Sequence, residues 1–213
     1  MERYKYPRTS HLPYSQGLSD DDTHLLSDDF LYNYDKVIVT IKMDGENTTV
    51  YPDGFCHARS LDSKHRDYHS WLMQNIQEWC YLIPEGHRVC GEYLYAKHSI
   101  AYNSLPSYFL AFSVWKDSTC LCWKDTLGII GSLGIKSVPV VYEGKYDSSL
   151  IKKIANEVVT DGQEGVVVRN AESFDIKDFS SNVAKFVRKN HVQTDIHWSF
   201  GKIECNTLME VRK

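Results

Sequence analysis

The stretch Val37–Tyr51, VIVTIKMDGENTTVY, contains two strand patterns separated by a short polar interruption. An apolar run, Val37–Ile41, and a second β-rich run, Thr48–Tyr51, flank the six residues KMDGEN. Because Asp44-Gly45 lies between two such runs, it predicts a hairpin turn that pairs the two strands directly. Lys42 then has two interpretations: a solvated guard at a strand edge, or a nucleophile that the turn displays.

The bulk composition is that of a globular protein. The 213 residues carry a net charge of −4, with 42% hydrophobic and 24% charged residues, which suits one domain. The negative balance excludes a positive field over the whole molecule, so any nucleic acid must bind in a local basic cleft. No signal-peptide core and no run of about 18 apolar residues is present, so we expect a soluble, intracellular, cytoplasmic protein.

Strand patterns with helices inserted between them predict an α+β fold of mostly antiparallel sheets. Residues 1–35 are polar and rich in turn formers, and we expect an N-terminal arm with a short helix near His24–Asp28. Residues 36–190 form the predicted main domain, and residues 191–213 a C-terminal tail. Further helices are predicted at His69–Tyr81, Asp125–Leu133 and Ser149–Val159, the last capped by Ser148 or Ser149, and a strand is predicted at Leu121–Trp123.

Five charged residues lie inside or at the ends of the apolar strand patterns: Lys42, Arg59, Glu92, Glu164 and Lys185. Taken singly, each is more simply a solvated strand edge. Taken together, they form a set of cations and carboxylates at strand ends. Because strands of a sheet converge on one cleft, we expect these side chains to meet despite their separation in sequence.

Attack on a nucleoside triphosphate is the chemistry that suits this set. A lysine is a good nucleophile only when burial, neighbouring cations or a metal lower its pKa from about 10.4. Lys185, Lys189 and Arg59 would supply those cations and would also neutralise a polyphosphate. Glu92 and Glu164 are hard oxygen donors suited to Mg²⁺ or to ribose hydroxyls. No Walker loop, GxSxG elbow or HExxH helix offers another route.

The order of these segments resembles that of the covalent nucleotidyltransferases, which comprise ATP-dependent RNA and DNA ligases and mRNA capping enzymes. The resemblance extends over residues 36–189, and the ends of the chain resemble the small stand-alone RNA ligases of phages and bacteria. The matching motifs are KMDG (42–45), the arginine of HARS (Arg59), GE in CGEYLY (91–92), the aromatic strand YFLAFSVW with Phe112, EGVVVR (164–169) and KFVRK (185–189).

The resemblance implies an ATP-grasp-like ligase domain with the nucleotide in a cleft between sheets. It also implies ATP and Mg²⁺, or Mn²⁺, as cofactors, Lys42 as the nucleophile and Glu164 as the metal ligand. Glu92 would orient the ribose, Phe112 would stack on adenine, and Lys185 with Arg59 would contact phosphates. The remaining nucleotide contacts are expected at Ile41, Asp44, Asn47 and Lys189, although Asp44 could equally serve the turn and Asn47 could cap it.

The implied activity is an RNA ligase that joins 5′-phosphate and 3′-hydroxyl ends through lysyl-AMP and an adenylylated 5′ end. The alternatives are a DNA ligase, a capping-type guanylyltransferase and a catalytically inactive nucleotide-binding module. Two features depart from the pattern of the superfamily. Val187 replaces the second lysine of the usual Lys-x-Lys motif, and the 24 residues after Lys189 are too few for an OB-fold domain.

Overall fold

The computed structural model describes residues 2–17, 22–189 and 203–210. Within them the chain forms two β-sheets flanked by helices, as the predicted α+β class requires. The strands are β1 Ser10–His11, β2 Val37–Lys42, β3 Glu46–Val50, β4 Cys56–Ala58, β5 His87–Tyr93, β6 Phe109–Lys116, β7 Thr119–Cys120, β8 Lys136–Ser137, β9 Val140–Gly144, β10 Gly165–Asn170, β11 Phe174–Asp175 and β12 Val183–Val187. The α-helices are α1 Ser70–Ile76, α2 Trp123–Ser132 and α3 Ser148–Thr160.

The first sheet has the strand order β1-β12-β10-β2-β9, and its pairs are antiparallel except for β1 with β12. One face of this sheet packs against α3 through a cluster that includes Val39, Val166 and Ile151. The cap of α3 differs from the prediction: Asp147 precedes the helix, and its carboxylate accepts a hydrogen bond from the amide of Leu150 at 2.9 Å. A carboxylate at this position satisfies a free helix amide as a serine would.

The second sheet has the order β11-β7-β6-β5-β3-β4, with β8 paired parallel to β6. It is covered by α1 and α2, whose buried residues Leu72, Ile76 and Ile130 pack against Val89 and Val114. The helix predicted at His69–Tyr81 is shorter than expected, because it ends at Ile76 and a 3-10 turn, Cys80–Leu82, follows.

The hairpin predicted at Asp44-Gly45 is wrong. β2 belongs to the first sheet and β3 to the second, so the two strands do not pair. A strand has two edges, and those of β2 are taken by β10 and β9, while those of β3 are taken by β4 and β5. Residues 43–45 therefore cross from one sheet to the other, and Lys42 lies where the sheets diverge.

The glycine of this crossing is required by close approach. A Cβ on Gly45 would lie 2.5 Å from the carbonyl oxygen of Tyr93 and 2.7 Å from a side-chain carbon of Leu94. Any larger residue would push the crossing segment away from β5, and with it the strand end that carries Lys42.

Two smaller expectations also differ from the structure. Leu121–Trp123 is not a strand: β7 occupies Thr119–Cys120, and Trp123 begins α2, with the Cys122 sulfur accepting from the amide of Asp125. The short helix expected near His24–Asp28 appears as a 3-10 turn at Asp29–Asn33. Both observed elements lie a few residues from their expected positions. Local hydrogen bonds decide the residue at which each element begins.

Residues 1–35 contribute to the core of the first sheet. β1 extends that sheet, and Leu12 and Leu31 are fully buried in the cluster that packs against α3. At the other end of the chain, residues 203–210 lie against the segment after β5, where the side-chain amide of Asn206 donates to the carbonyl of Leu94 at 2.7 Å. The division into an arm, a main domain and a tail stays a prediction, and most of the tail lies outside the described residues. No described helix is long and apolar enough to cross a membrane.

Candidate active site

A cavity of about 210 Å³ lies between the two sheets. The face of the first sheet that does not contact α3 forms one wall. Because side chains alternate along a strand, Thr40 and Lys42 of β2, Val167 and Arg169 of β10, and Val183 and Lys185 of β12 all point into it. The other walls are formed by the following residues: Tyr6, Pro7, Thr9, Ile41, Met43, Asn47, Arg59, Glu92, Phe112, Ser113, Cys120, Val138 and Phe174.

The predicted nucleophile forms an ion pair with the predicted metal ligand. Lys42 is paired in register with Gly165, so the residue before it, Glu164, is brought beside the lysine. The Nζ atom of Lys42 donates to a carboxylate oxygen of Glu164 at 2.7 Å, and the Glu164 side chain is only 4% exposed. The two residues that sequence motifs singled out 122 positions apart therefore meet as one unit.

The charges that act on Lys42 are dominated by carboxylates rather than by the expected cations. Burial acts to lower the pKa of Lys42, but the charges of Glu164, Glu92 and Asp44 outweigh burial and raise that pKa above its ordinary value. The pKa of Glu92 rises to about 8 because the carboxyl is desolvated, with Glu164 adding to the rise. The expectation that nearby cations lower the pKa of the nucleophile is thus not met in the protein without ligands.

Lys185 lies on the same face of the first sheet, level with Thr40 of β2, and its pKa shifts in the direction opposite to that of Lys42. Its Nζ atom donates to a carboxylate oxygen of Asp22 at 3.0 Å, and both side chains are mostly buried. Burial lowers the pKa of Lys185, and the neighbouring charge of Lys42 adds to this effect. Asp22 also lies 3.3 Å from the buried ring of His11 in β1, so residues that precede β2 in the chain position Lys185.

Ile41, Asn47 and Arg59 line the cavity together with Lys42 and Glu92. The side-chain oxygen of Asn47 is buried without a hydrogen-bond partner, which is costly unless a ligand supplies one. Since Asn47 lies opposite Glu92 in the pairing of β3 with β5, both can reach the same part of a ligand.

Asp44 and Lys189 do not line the cavity. The Asp44 carboxylate accepts hydrogen bonds from the amides of Ser99 and Ile100 at 2.7 and 2.8 Å, and its own amide donates to the hydroxyl of Tyr102 at 3.0 Å. Asp44 therefore holds the loop that follows β5. It does not form the hairpin turn that the Asp44-Gly45 dipeptide predicts. Lys189 is exposed beyond the end of β12. Nucleotide contacts by these two residues stay predictions.

The opposite end of the cavity is apolar and aromatic. Phe112, the predicted stacking residue, lines it together with Val167, Phe174 and Val183. Along β12, Val183 lies two residues from Lys185, a step of about 6.6 Å, so the apolar end begins one pleat from the cations. A nucleotide would fit with its base near Phe112 and its phosphates near Lys42 and Lys185.

Sequence reasoning missed Tyr6, Thr9 and Arg169 as cavity residues. The sequence places the two N-terminal residues in an arm, whereas the parallel pairing of β1 with β12 and the contacts of Tyr4 with the second sheet bring that segment to the cavity. Arg169 was identified as the last residue of its motif without a role. Its guanidinium donates to the carbonyl of Leu121 at 2.9 Å and lies 5.5 Å from the centre of the Trp123 ring. The alternation of β10 could have placed Arg169 on the face of Val167.

The donor set fits a divalent cation that is shared with a ligand. Among the described residues no group of three or more His, Cys, Asp and Glu side chains could hold a metal alone. Mg²⁺ commonly takes one or two protein carboxylates and completes its shell with phosphate oxygens and water. Glu164 and Glu92 are two such carboxylates, and both interact with the charge of Lys42. A bound cation beside them would favour the ionised form of Glu92.

Solved RNA ligases have a similar fold. An archaeal ATP-dependent RNA ligase superposes with a TM-score of 0.59 at 18% identity, covering 85% of this chain and 48% of the archaeal one. A variant of the Naegleria gruberi RNA ligase, solved with ATP and Mn, gives 0.55 at 15% identity, covering 87% and 62%. This chain thus spans less than two thirds of the length of either ligase. At these identities the similarity shows the fold.

No curated protein matches the chain. A family model does, and the matched segment, residues 35–187, covers most of the chain and contains both sheets except for β1. That segment begins just before β2 and ends with β12, so it includes Lys42 at the end of β2, Glu164 just before β10 and Lys185 in the middle of β12. The chain belongs to the RNA ligase family.

Proposed function

We propose that this protein is an ATP-dependent RNA ligase that joins a 5′-phosphate to a 3′-hydroxyl. The observation that carries the proposal is the cavity with Lys42 at its charged end and Phe112 at its apolar end, in a chain of the RNA ligase family. A deep site with cations at one end and an aromatic ring at the other suits a nucleoside triphosphate.

In the first step the lone pair of the Lys42 amine attacks the α-phosphorus of ATP. The bond from that phosphorus to the bridging oxygen breaks, pyrophosphate leaves with the electron pair, and the ammonium proton passes to solvent. Lys185 and Arg59 would neutralise the phosphates, and Asn47 and Glu92 would orient the nucleoside. A bound Mg²⁺ or Mn²⁺ at Glu164 would supply charge neutralisation at the phosphates.

In the next steps the AMP passes to a 5′-phosphate of an RNA end, and a 3′-hydroxyl displaces it to form the phosphodiester. Positioning and charge neutralisation are the main contributions of the protein to such transfers. RNA is the proposed substrate because the family is that of RNA ligases, and DNA is the alternative to be tested.

The decisive experiment is incubation with α-labelled ATP or GTP and Mg²⁺, followed by a denaturing gel. We expect a labelled 24.6 kDa band with ATP that is absent in Lys42→Ala. Labelling with GTP alone would favour a guanylyltransferase, and no label with either nucleotide would overturn the enzyme assignment.

The substrate is tested separately with 5′-phosphorylated RNA and DNA strands, offered with and without a complementary template. Sealing of RNA ends is the expected result, with Lys42→Ala as the control for contaminating ligase. Sealing restricted to DNA nicks would contradict the RNA assignment while leaving the nucleotide chemistry in place.

A further inference from the structure

The N-terminal segment Arg3–Thr9 is fastened across the second sheet before it reaches the cavity. The guanidinium of Arg3 lies 4.2 Å from the centre of the Tyr51 ring, and the amide of Tyr4 donates to the Tyr51 hydroxyl at 2.9 Å. The buried guanidinium of Arg88 lies 4.4 Å from the centre of the Tyr4 ring. These two cation–π contacts and the hydrogen bond of Tyr4 together hold the segment against the second sheet.

That path inserts Tyr6 into the aromatic end of the cavity. Its ring centroid lies 5.4 Å from those of Phe112 and Phe179 and 6.3 Å from that of Trp115, and all three contacts are close to perpendicular. Perpendicular contacts at these distances are the favoured geometry for aromatic pairs. Burial raises the pKa of the Tyr6 hydroxyl far above its ordinary value, so this side chain is neutral at any working pH.

The position of Tyr6 limits the space beside Phe112. A base stacked on Phe112 lies parallel to that ring, and the Tyr6 ring stands at 72° to it. Tyr6, Pro7 and Thr9 all line the cavity, so the segment forms a wall at its aromatic end. A substituent that projects from the edge of the base toward this wall would meet a ring that neighbouring aromatic residues hold in place.

We propose that Tyr6 is a specificity-determining residue that sets the size limit of the base subsite. It would admit an unsubstituted purine and exclude one with a bulky group on its exocyclic amine. This inference rests on the proposed nucleotide chemistry and goes beyond it, because it assigns selectivity to a segment outside the residues, 35–187, that the family model matches.

The test compares α-labelled ATP with α-labelled N6-benzyl-ATP as donors of the covalent label. In Tyr6→Ala we expect the rate ratio of N6-benzyl-ATP to ATP to rise by about tenfold or more over the wild type, because removing the ring opens room for the substituent. Tyr6→Phe keeps the ring and should leave the ratio within about threefold of the wild type.

Tyr4→Ala is the matched control. It removes an aromatic ring two residues away in the same segment, and that ring packs on Arg88 without lining the cavity. An equal rise of the ratio in Tyr4→Ala and Tyr6→Ala would show that loosening the segment is sufficient, and would overturn the assignment to Tyr6.

The two proposals fail in different ways. If the wild type takes no label from ATP, the proposed function is wrong. If it takes label and the ratio is unchanged in Tyr6→Ala, the proposed function stands and the size limit is wrong. If Tyr6→Ala does not melt cooperatively, Tyr6→Leu replaces it, since the smaller change in volume still removes the ring, and the same rise of the ratio is required.

Discussion

Lys42 and Lys185 lie in the same cavity on strands that both pair with β10, yet their surroundings differ. Lys42 contacts Glu164 of its own sheet, beside Glu92 of the other, and these carboxylates raise its pKa. Lys185 contacts the carboxylate of Asp22, and burial lowers its pKa. Strand position therefore brings a lysine to the site, while the neighbouring carboxylates decide how readily that lysine gives up its proton.

The largest expected effect comes from exchanging each lysine for arginine. Lys42→Arg keeps the charge but removes the nucleophile, so formation of the labelled adenylate should fall by about 1000-fold or more. Lys185→Arg keeps a phosphate-binding cation, so labelling should remain within about tenfold of the wild type. Single-turnover labelling with ATP measures both. Lys36→Arg, in the exposed pair with Glu143, is the control.

Equal losses of labelling in the two variants would contradict the distinct roles of the two lysines, because both positions would then require a primary amine. Equal retention of labelling in the two variants would show that Lys42 is not the nucleophile.

The second prediction concerns stability and pH. Because the folded protein raises the pKa of Glu92 from 4.5 to about 8, the protonated form stabilises the fold, and that contribution is lost as the pH rises from about 4.5 to about 8. Relative to Glu92→Gln, the free energy of unfolding of the wild type should therefore fall by roughly 5 kcal/mol over this window. Urea unfolding without nucleotide or metal measures it.

Glu143→Gln is the control for this prediction, because it removes an exposed carboxylate and should leave the pH dependence of the wild type in place. A difference between wild type and Glu92→Gln that stays flat with pH would show that Glu92 is ionised in the fold. The carboxylate cluster around Lys42 would then be more highly charged than its geometry indicates.

The smallest effect is expected at Asp22, which holds Lys185 in the protein without ligands. Asp22→Asn removes a charge that competes with phosphates for the lysine, so we expect the KM for ATP in adenylate formation to fall by about threefold. The kcat should change less. A rise in KM would contradict this and would make Asp22 a residue that positions Lys185 for the phosphates.

Much of the sheet content could be predicted from the sequence, since alternation and apolar runs identify strands from local information. The apolar run Val37–Ile41 appears as β2 with one added residue, the GE motif (91–92) lies in β5, and GVVVR of the EGVVVR motif lies in β10. The set of charged residues could also be identified, because cations and carboxylates recur at several apolar strand patterns in the order of the resembled motifs. Pairing could not be predicted in the same way: the Asp44-Gly45 dipeptide signals a turn, but free strand edges elsewhere decide which strands join.

Local sequence patterns were sufficient to predict the fold class, to select the charged residues Lys42, Glu92, Glu164 and Lys185 and, by resemblance, to identify the nucleotidyltransferase motifs. The tertiary structure decided that Lys42 is opposed by carboxylates and that Tyr6 reaches the ring of Phe112. The physical reason is the range of the interactions involved. Side-chain alternation and strand propensity act over a few neighbouring residues, whereas a pKa or a cavity wall depends on groups that meet only after distant strands have paired.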